Sequence, residues 1–255
     1  MNPDPDAAGR SPPPAHPAQE PERGLSGLRA LWRAILLALA LRYAAYAVMT
    51  ALAIWNERRP APTLPDAVLA YVPYVPWIAN GNYVLWLCLY LPVAAGLLWD
   101  APRRFVRYMV TGALVSLARG LTIAMTGLGV PDPAVAGPGL GGHDAAAAFV
   151  QLVSPWHVFA KGSMQAYLTK DLFFSGHTAT TFLLLLYVWD RPRLRWIALA
   201  GHVGVVASVF LAHLHYTIDV AGAYAVTFTV FALREGWPAG YFVKSETTPV
   251  VSTGR

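Results

Sequence analysis

Cysteine and charge are what this chain has least of. Its one cysteine, Cys88, lies inside a hydrophobic run, which excludes an intrachain disulfide and a thiolate metal cluster. Charged residues fill only 13% of the 255 positions, against 56% for hydrophobic ones. That shortage overrules the one or two soluble domains that length alone would allow. The apolar residues gather in runs near bilayer-spanning length, so the class is a polytopic membrane protein. The net charge of +5 is not a nucleic-acid signature. The arginines stand mainly at the ends of hydrophobic runs, where they set orientation and meet lipid phosphate.

Residues 1–25 are rich in Pro, Ala and acidic side chains and have no apolar period, which predicts a disordered cytosolic tail. Residues 26–236 form the membrane domain and 237–255 a second cytosolic tail. The first apolar stretch, Leu31 to Trp55, exceeds the roughly 7–15 residues of a signal-peptide core and is expected to be retained. The fold class is all-α, with six membrane helices expected over 31–55, 82–99, 105–127, 172–190, 195–213 and 216–233. One side of this arrangement collects thirteen basic residues: Arg10, Arg23, Arg29, Arg33, Arg103, Arg104, Arg107, Arg191, Arg193, Arg195, Arg234, Lys244 and Arg255. The other has four: Arg58, Arg59, Lys161 and Lys170. The positive-inside rule therefore puts both termini in the cytoplasm and the N-terminal ends of spans four and six outside.

Two short motifs open those two spans: Ser175-Gly176-His177-Thr178 and His215-Tyr216-Thr217-Ile218-Asp219. Imidazole and carboxylate are costly near hydrocarbon, so their placement at helix mouths points to chemistry. Four residues separate His215 from Asp219, one helical turn on one face. Asp219 can accept one ring N–H and leave the other nitrogen free to attack. His177 approaches from a neighbouring helix, and Ser175-Gly176 offers a close backbone at a helix N-terminus, a cradle for a phosphate oxyanion. Two imidazoles and a carboxylate are what phosphoryl transfer through a phosphohistidine requires.

Other polar groups have plainer readings. His213 is expected to support structure, His202 to make an interhelical hydrogen bond, and His143 and His157 to face solvent from a Gly/Pro-rich loop. His213, His215 and Asp219 lack further ligands at metal-site spacing, so no metal is assigned. Arg119, within span three, needs a partner or a wet cavity; its fork fits phosphate, with an interhelical salt bridge as the alternative. Arg42 in span one is open to both readings. The aromatics Trp77, Tyr83, Trp86, Trp156 and Tyr167 fit a membrane-interface belt or a choline cage.

The motifs resemble, in order over roughly 170 residues, those of the sphingomyelin synthase family, a branch of the type 2 phosphatidic acid phosphatase superfamily. Thr63-Leu64-Pro65-Asp66 resembles its first motif, and Arg119 to Thr126 followed by Val130-Pro131 its second. Asp171 to Thr178 resembles the third, and Ala212 to Val220 with Ala223-Tyr224 the fourth. The last two are specific. The resemblance implies a six-helix bundle of the type 2 phosphatidic acid phosphatase kind, with a His-His-Asp triad on the non-cytosolic face. It implies transfer of a phosphoalcohol headgroup from a glycerophospholipid donor to the primary hydroxyl of a ceramide-like acceptor, releasing diacylglycerol, without metal or cofactor. His215 would be the nucleophile, Asp219 its orienter and His177 the proton shuttle. Arg119, Ser175, Gly176, Asp171, Lys170, Asp66 and Tyr216 would bind substrate or phosphate.

The chain departs from the family's pattern in places. Thr169-Lys170 replaces the usual Cys-Gly, which places an extra cation near the phosphate. The linking loop, Gly127 to Gly142, is rich in Gly and Pro and is expected to act as a mobile lid. The wider superfamily's Lys/Arg-containing first signature is missing, as is the Arg of its Ser-Arg lead-in, since Val209 follows Ser208. Both absences favour the synthase branch. Compact loops and the lack of an N-terminal interaction domain lead to the expectation of a bacterial inner- or plasma-membrane protein; homo-oligomers are left open. The rival readings are a lipid phosphatase or phospholipase C-like hydrolase with the same triad, and a catalytically silent lipid-binding protein.

Overall fold

The computed structural model describes residues 20–154 and 167–236. The expected tails up to residue 19 and from 237, with Arg10, Lys244 and Arg255, lie outside the described residues, as do Trp156, His157 and Lys161. Among the described residues the chain is helical and has no strand. The helices are α1 (Glu20–Glu57), α2 (Pro76–Asp100), α3 (Pro102–Thr126), α4 (Ala145–Val153), α5 (Gly176–Val188), α6 (Pro192–Leu211) and α7 (Thr217–Glu235), with a 3₁₀ turn at Leu69–Tyr71. Proline starts α2, α3 and α6, where its missing N–H would be unpaired in any case. Gly127 (φ 55°) and Gly236 (φ 70°) end α3 and α7 in the left-handed conformation.

Five helices are long and apolar enough to cross a bilayer: α1 from Ser26, α2, α3, α6 and α7. This is the architecture of a multi-pass membrane protein. Leu37, Trp99 and Leu233 are more than 70% exposed, as side chains facing lipid would be.

The expected fourth span, 172–190, is corrected by the structure. Only Gly176–Val188, 13 residues, is helical, about 20 Å against the roughly 30 Å hydrocarbon core. Residues 171–174 cannot join the helix because side chains of α3 take the carbonyls of Asp171, Phe173 and Phe174. The tail boundary also moves, since α1 already begins at Glu20, inside the segment expected to be disordered.

The core packs Leu97, Phe105, Tyr108, Phe174, Leu183, Tyr187 and Phe231 between α2, α3, α5 and α7. Helices α1 and α3 lie close because α3 offers glycine at the contact. A Cβ on Gly120 would meet Met49 Cα and Leu52 Cδ1 at 3.0 Å. One end of the bundle is laced by ion pairs, Arg104 with Asp190, Arg191 with Asp100, and Arg107 with Glu235. Gly120→Val is expected to destabilise the protein by about 1–3 kcal/mol through overpacking, read as a lower unfolding temperature in detergent.

Candidate active site

At the end of the bundle opposite those ion pairs, α3 holds the chain that leads into α5. Arg119 is buried, donates from Nε to the Phe174 carbonyl (2.6 Å) and from Nη2 to the Asp171 carbonyl (2.9 Å), and pairs with the Asp171 carboxylate. Its Nη1 meets Met49 Sδ of α1 at 3.1 Å. A guanidinium within a bundle needs such a set of acceptors. The hydroxyl of Thr122, one turn on, donates to the Phe173 carbonyl (2.9 Å). The chain is thereby turned so that Ser175 caps α5, its Oγ accepting from the N–H (3.4 Å) and hydroxyl (3.1 Å) of Thr178. Glycine at 176 lets the guanidinium approach closely, since a Cβ there would lie 3.1 Å from Arg119 Cζ and Nε.

His177 follows in the first turn of α5, with the Trp86 ring edge-on at 5.5 Å. His215 enters from the turn between α6 and α7. That turn needs a left-handed residue, and His213 supplies it (φ 49°). His215 Nδ1 lies 3.3 Å from Asp219 Oδ2, and the same oxygen accepts the Tyr216 N–H at 2.9 Å. Asp219 is wholly buried, and its Oδ1 has no hydrogen-bond partner among the described residues. The Ser175 N–H donates to the Asp219 carbonyl (3.1 Å), which ties the two histidine motifs together by backbone.

A cavity of about 250 Å³ gathers His177, His215, Arg119, Asp171 and Gly176 on its wall. Asp219 stands behind His215. The remaining residues expected at the phosphate, Ser175, Lys170, Asp66 and Tyr216, do not line this cavity, and their polar groups are engaged elsewhere. Ser175 caps α5. Lys170 Nζ donates to the carbonyls of Glu57 (2.9 Å) and Arg59 (2.8 Å), so its charge closes the end of α1. The Tyr216 hydroxyl accepts from Leu64 N–H (3.0 Å) and lies 2.9 Å from the Gly129 carbonyl, gripping both outer loops.

Asp66 accepts the Thr217 N–H (2.5 Å) and hydroxyl (2.9 Å), and closes its own turn onto Val68 and Leu69. The loop Gly127–Gly142, expected to be a lid, is held down. Besides Tyr216, Asp132 binds His213 Nδ1 (2.8 Å), whose Nε2 meets the Val72 carbonyl (2.9 Å). With both nitrogens of His213 engaged, that ring supports the fold. His202 joins Thr181 and Tyr224 at 2.8 Å each, the interhelical role expected for it, and His143 is exposed.

The sequence reading passed over several cavity residues: Tyr46 and Ser116 on the wall, and Glu57 behind it, which accepts from Thr169 and Lys170 N–H groups. A signal was present, since Arg42, Tyr46 and Met49 recur at helical spacing on one face of α1, as Tyr83, Trp86 and Tyr90 do on α2. Tyr83 and Trp86 line the cavity, whereas Trp77 is exposed and Tyr167 bonds Gln151 (2.7 Å).

Residues 170–235 match the sequence profile of the family described as PAP2 superfamily C-terminal, so α5, α6 and α7, with His177, His215 and Asp219, form the matched region. The chain is similar to phosphatidylcholine:ceramide cholinephosphotransferase 1 of Caenorhabditis elegans, 28% identical over 69% of this chain and 40% of the relative. It is 31% identical to human phosphatidylcholine:ceramide cholinephosphotransferase 2 over 68% of this chain and 50% of that one. A third relative is the phosphatidylinositol:ceramide inositolphosphotransferase of Trypanosoma cruzi, 28% identical over 53% of this chain and 40% of its own length. The chain thus spans about half the length of the curated relatives it matches, or less.

Burial works against the Asp66 carboxylate, but hydrogen bonds from Leu69, Thr217 and Val68 outweigh it and hold the carboxyl below its usual range. Its stabilising effect is then complete above the ordinary carboxylate pKa and fades as pH falls through the lowered value. Asp66→Asn is expected to lower the unfolding temperature at pH 7 and to narrow its gap from wild type on acidification below about pH 4, measured by thermal unfolding across pH.

Proposed function

We propose that the chain is a membrane phosphotransferase. It moves a phosphoalcohol headgroup from a glycerophospholipid to the primary hydroxyl of a ceramide-like lipid and releases diacylglycerol. The observation that carries this reading is the convergence of His177 and His215, from separate helices, on one cavity beside Arg119, with Asp219 buried behind His215. The names of the relatives pair ceramide with phosphatidylcholine or phosphatidylinositol, which supports the acceptor class and leaves the headgroup to experiment.

In this mechanism His215 carries its proton on Nδ1, toward Asp219, and attacks phosphorus with Nε2. The P–N bond forms as the P–O bond to glycerol breaks, and His177 gives its proton to the departing diacylglycerol oxygen. The acceptor hydroxyl then returns a proton to His177 and attacks phosphorus. The P–N bond breaks and His215 is regenerated. Asp219, buried with one oxygen unpartnered among the described residues, favours the positive charge that His215 gains while it holds phosphorus. Arg119 and the cavity face of Gly176 lie where the phosphoryl oxygens need positive potential. Both termini are taken as cytoplasmic and the histidine end as extracytoplasmic, because the arginine-laced end carries most of the basic residues.

The test is transfer in reconstituted vesicles containing fluorescent ceramide and phospholipids with choline, ethanolamine, inositol or glycerol headgroups. A headgroup-bearing ceramide and an equal amount of diacylglycerol are expected. His215→Ala and His177→Ala should each lower the rate about 10²–10⁴-fold or more, with the folded state checked by thermal unfolding. Free phosphoalcohol without labelled product would make water the acceptor and the protein a hydrolase.

A further inference from the structure

A second opening adjoins the catalytic cavity. It is a groove of about 550 Å³ between α1, α2 and α3, walled by apolar side chains such as Leu39, Leu91, Leu98 and Met109. The two spaces share Arg42, Tyr46, Trp86 and Thr180, which form the neck between them. Arg42 is the unexpected member. Its Nη1 donates to the Gly112 carbonyl and to Ser116 Oγ, but its Nε and Nη2 make no hydrogen bond to a described residue. No carboxylate among the described residues pairs with it. Trp86 adds an indole N–H that is buried without an acceptor among the described residues. The neck thus holds N–H groups of Arg42 and Trp86 that have no acceptor among the described residues, and inside a bundle a missing partner is costly.

Position narrows what the missing acceptor is. Gly112 and Ser116 lie two turns and one turn from Arg119 along α3, away from the histidines. On α1, Arg42 stands seven residues, roughly 10 Å, below Met49, which touches Arg119. A lipid phosphate attacked by His215 lies at the histidine end of the cavity, and the groove beyond takes hydrocarbon. Between the phosphate or hydroxyl of a membrane lipid and its chains stand neutral acyl carbonyls, esters in a glycerolipid and an amide in a ceramide.

We propose that Arg42, with Trp86 beside it, is the site that binds the acyl carbonyl of the lipid whose head lies at the histidines and whose chain lies in the groove. This rests on the reading that a lipid head docks at His177 and His215. Arg42 would then select acylated lipids over ether-linked ones.

The test is equilibrium binding to the purified full chain in detergent, so that it does not depend on turnover. The probes are diacyl phosphatidylcholine, its dialkyl ether analogue, and ceramide. Wild type is expected to bind the diacyl lipid or ceramide about tenfold more tightly than the ether lipid, as a hydrogen bond from a charged donor would give. Arg42→Met should remove that preference by weakening only the acylated lipid, and Arg42→Lys should keep part of it. Ser116→Ala breaks the same interhelical bond but keeps the guanidinium, and should retain the preference. Sensitivity with ceramide alone assigns the site to the acceptor; sensitivity with the diacyl lipid alone assigns it to the donor. Equal binding of ester and ether lipids by wild type together with ceramide binding that Arg42→Met leaves unchanged, or an equal loss of all three lipids in Arg42→Met, overturns the proposal. A retained carbonyl preference in a protein that transfers no headgroup would instead count against the transferase reading.

Discussion

A guanidinium inside a helical bundle has to find acceptors, and Arg119 finds them in the backbone of the segment that precedes α5. Its bonds to Asp171 and Phe174 hold that segment out of the helix. The consequence is geometric. Helix α5 starts at Gly176 instead of four residues earlier, which puts His177 in its first turn and at the cavity wall. The same contact is tight at Gly176, which leaves the guanidinium room. The backbone bond from Ser175 to Asp219 carries the constraint into α7, so both histidines are placed by one buried charge. Held this way, the two histidines on the cavity wall need little reorganisation to act together.

The two ends of the bundle are built differently. Salt bridges between connecting turns close the arginine-rich end. The histidine end is closed by hydrogen bonds from loops onto helix termini. Asp66 meets the first turn of α7, Tyr216 grips two loops, Asp132 meets His213, and Lys170 and Glu57 lock the end of α1. Lipid headgroups bring charge and water to such a surface, where loop-to-helix hydrogen bonds with several partners hold better than lone exposed ion pairs.

Much of the framework was legible in composition. Apolar run length locates five of the long helices, and the arginines mark the turns at one end. The i,i+4 spacing of His215 and Asp219 places them together because a helix repeats every 3.6 residues. The length of α5 was not legible. Hydropathy counts Leu172, Phe173 and Phe174 as helix, while the carbonyls of Phe173 and Phe174 are taken by α3. Ser175, Lys170, Asp66 and Tyr216 were expected near phosphate, yet the Ser175 hydroxyl caps its own helix and the other three are used by neighbours distant in sequence.

By itself, then, the sequence determined the class of molecule, its helical content and the set of groups able to do chemistry. These depend on local spacing and on transfer of apolar side chains from water. Tertiary structure decided which of those groups share a cavity and which serve as fastenings. It also decided that Arg119 is met by Asp171 while two nitrogens of Arg42 meet no acceptor among the described residues. Burial in a bundle leaves each polar group only the partners that packing brings within reach, and that choice is not written in any local stretch of the chain.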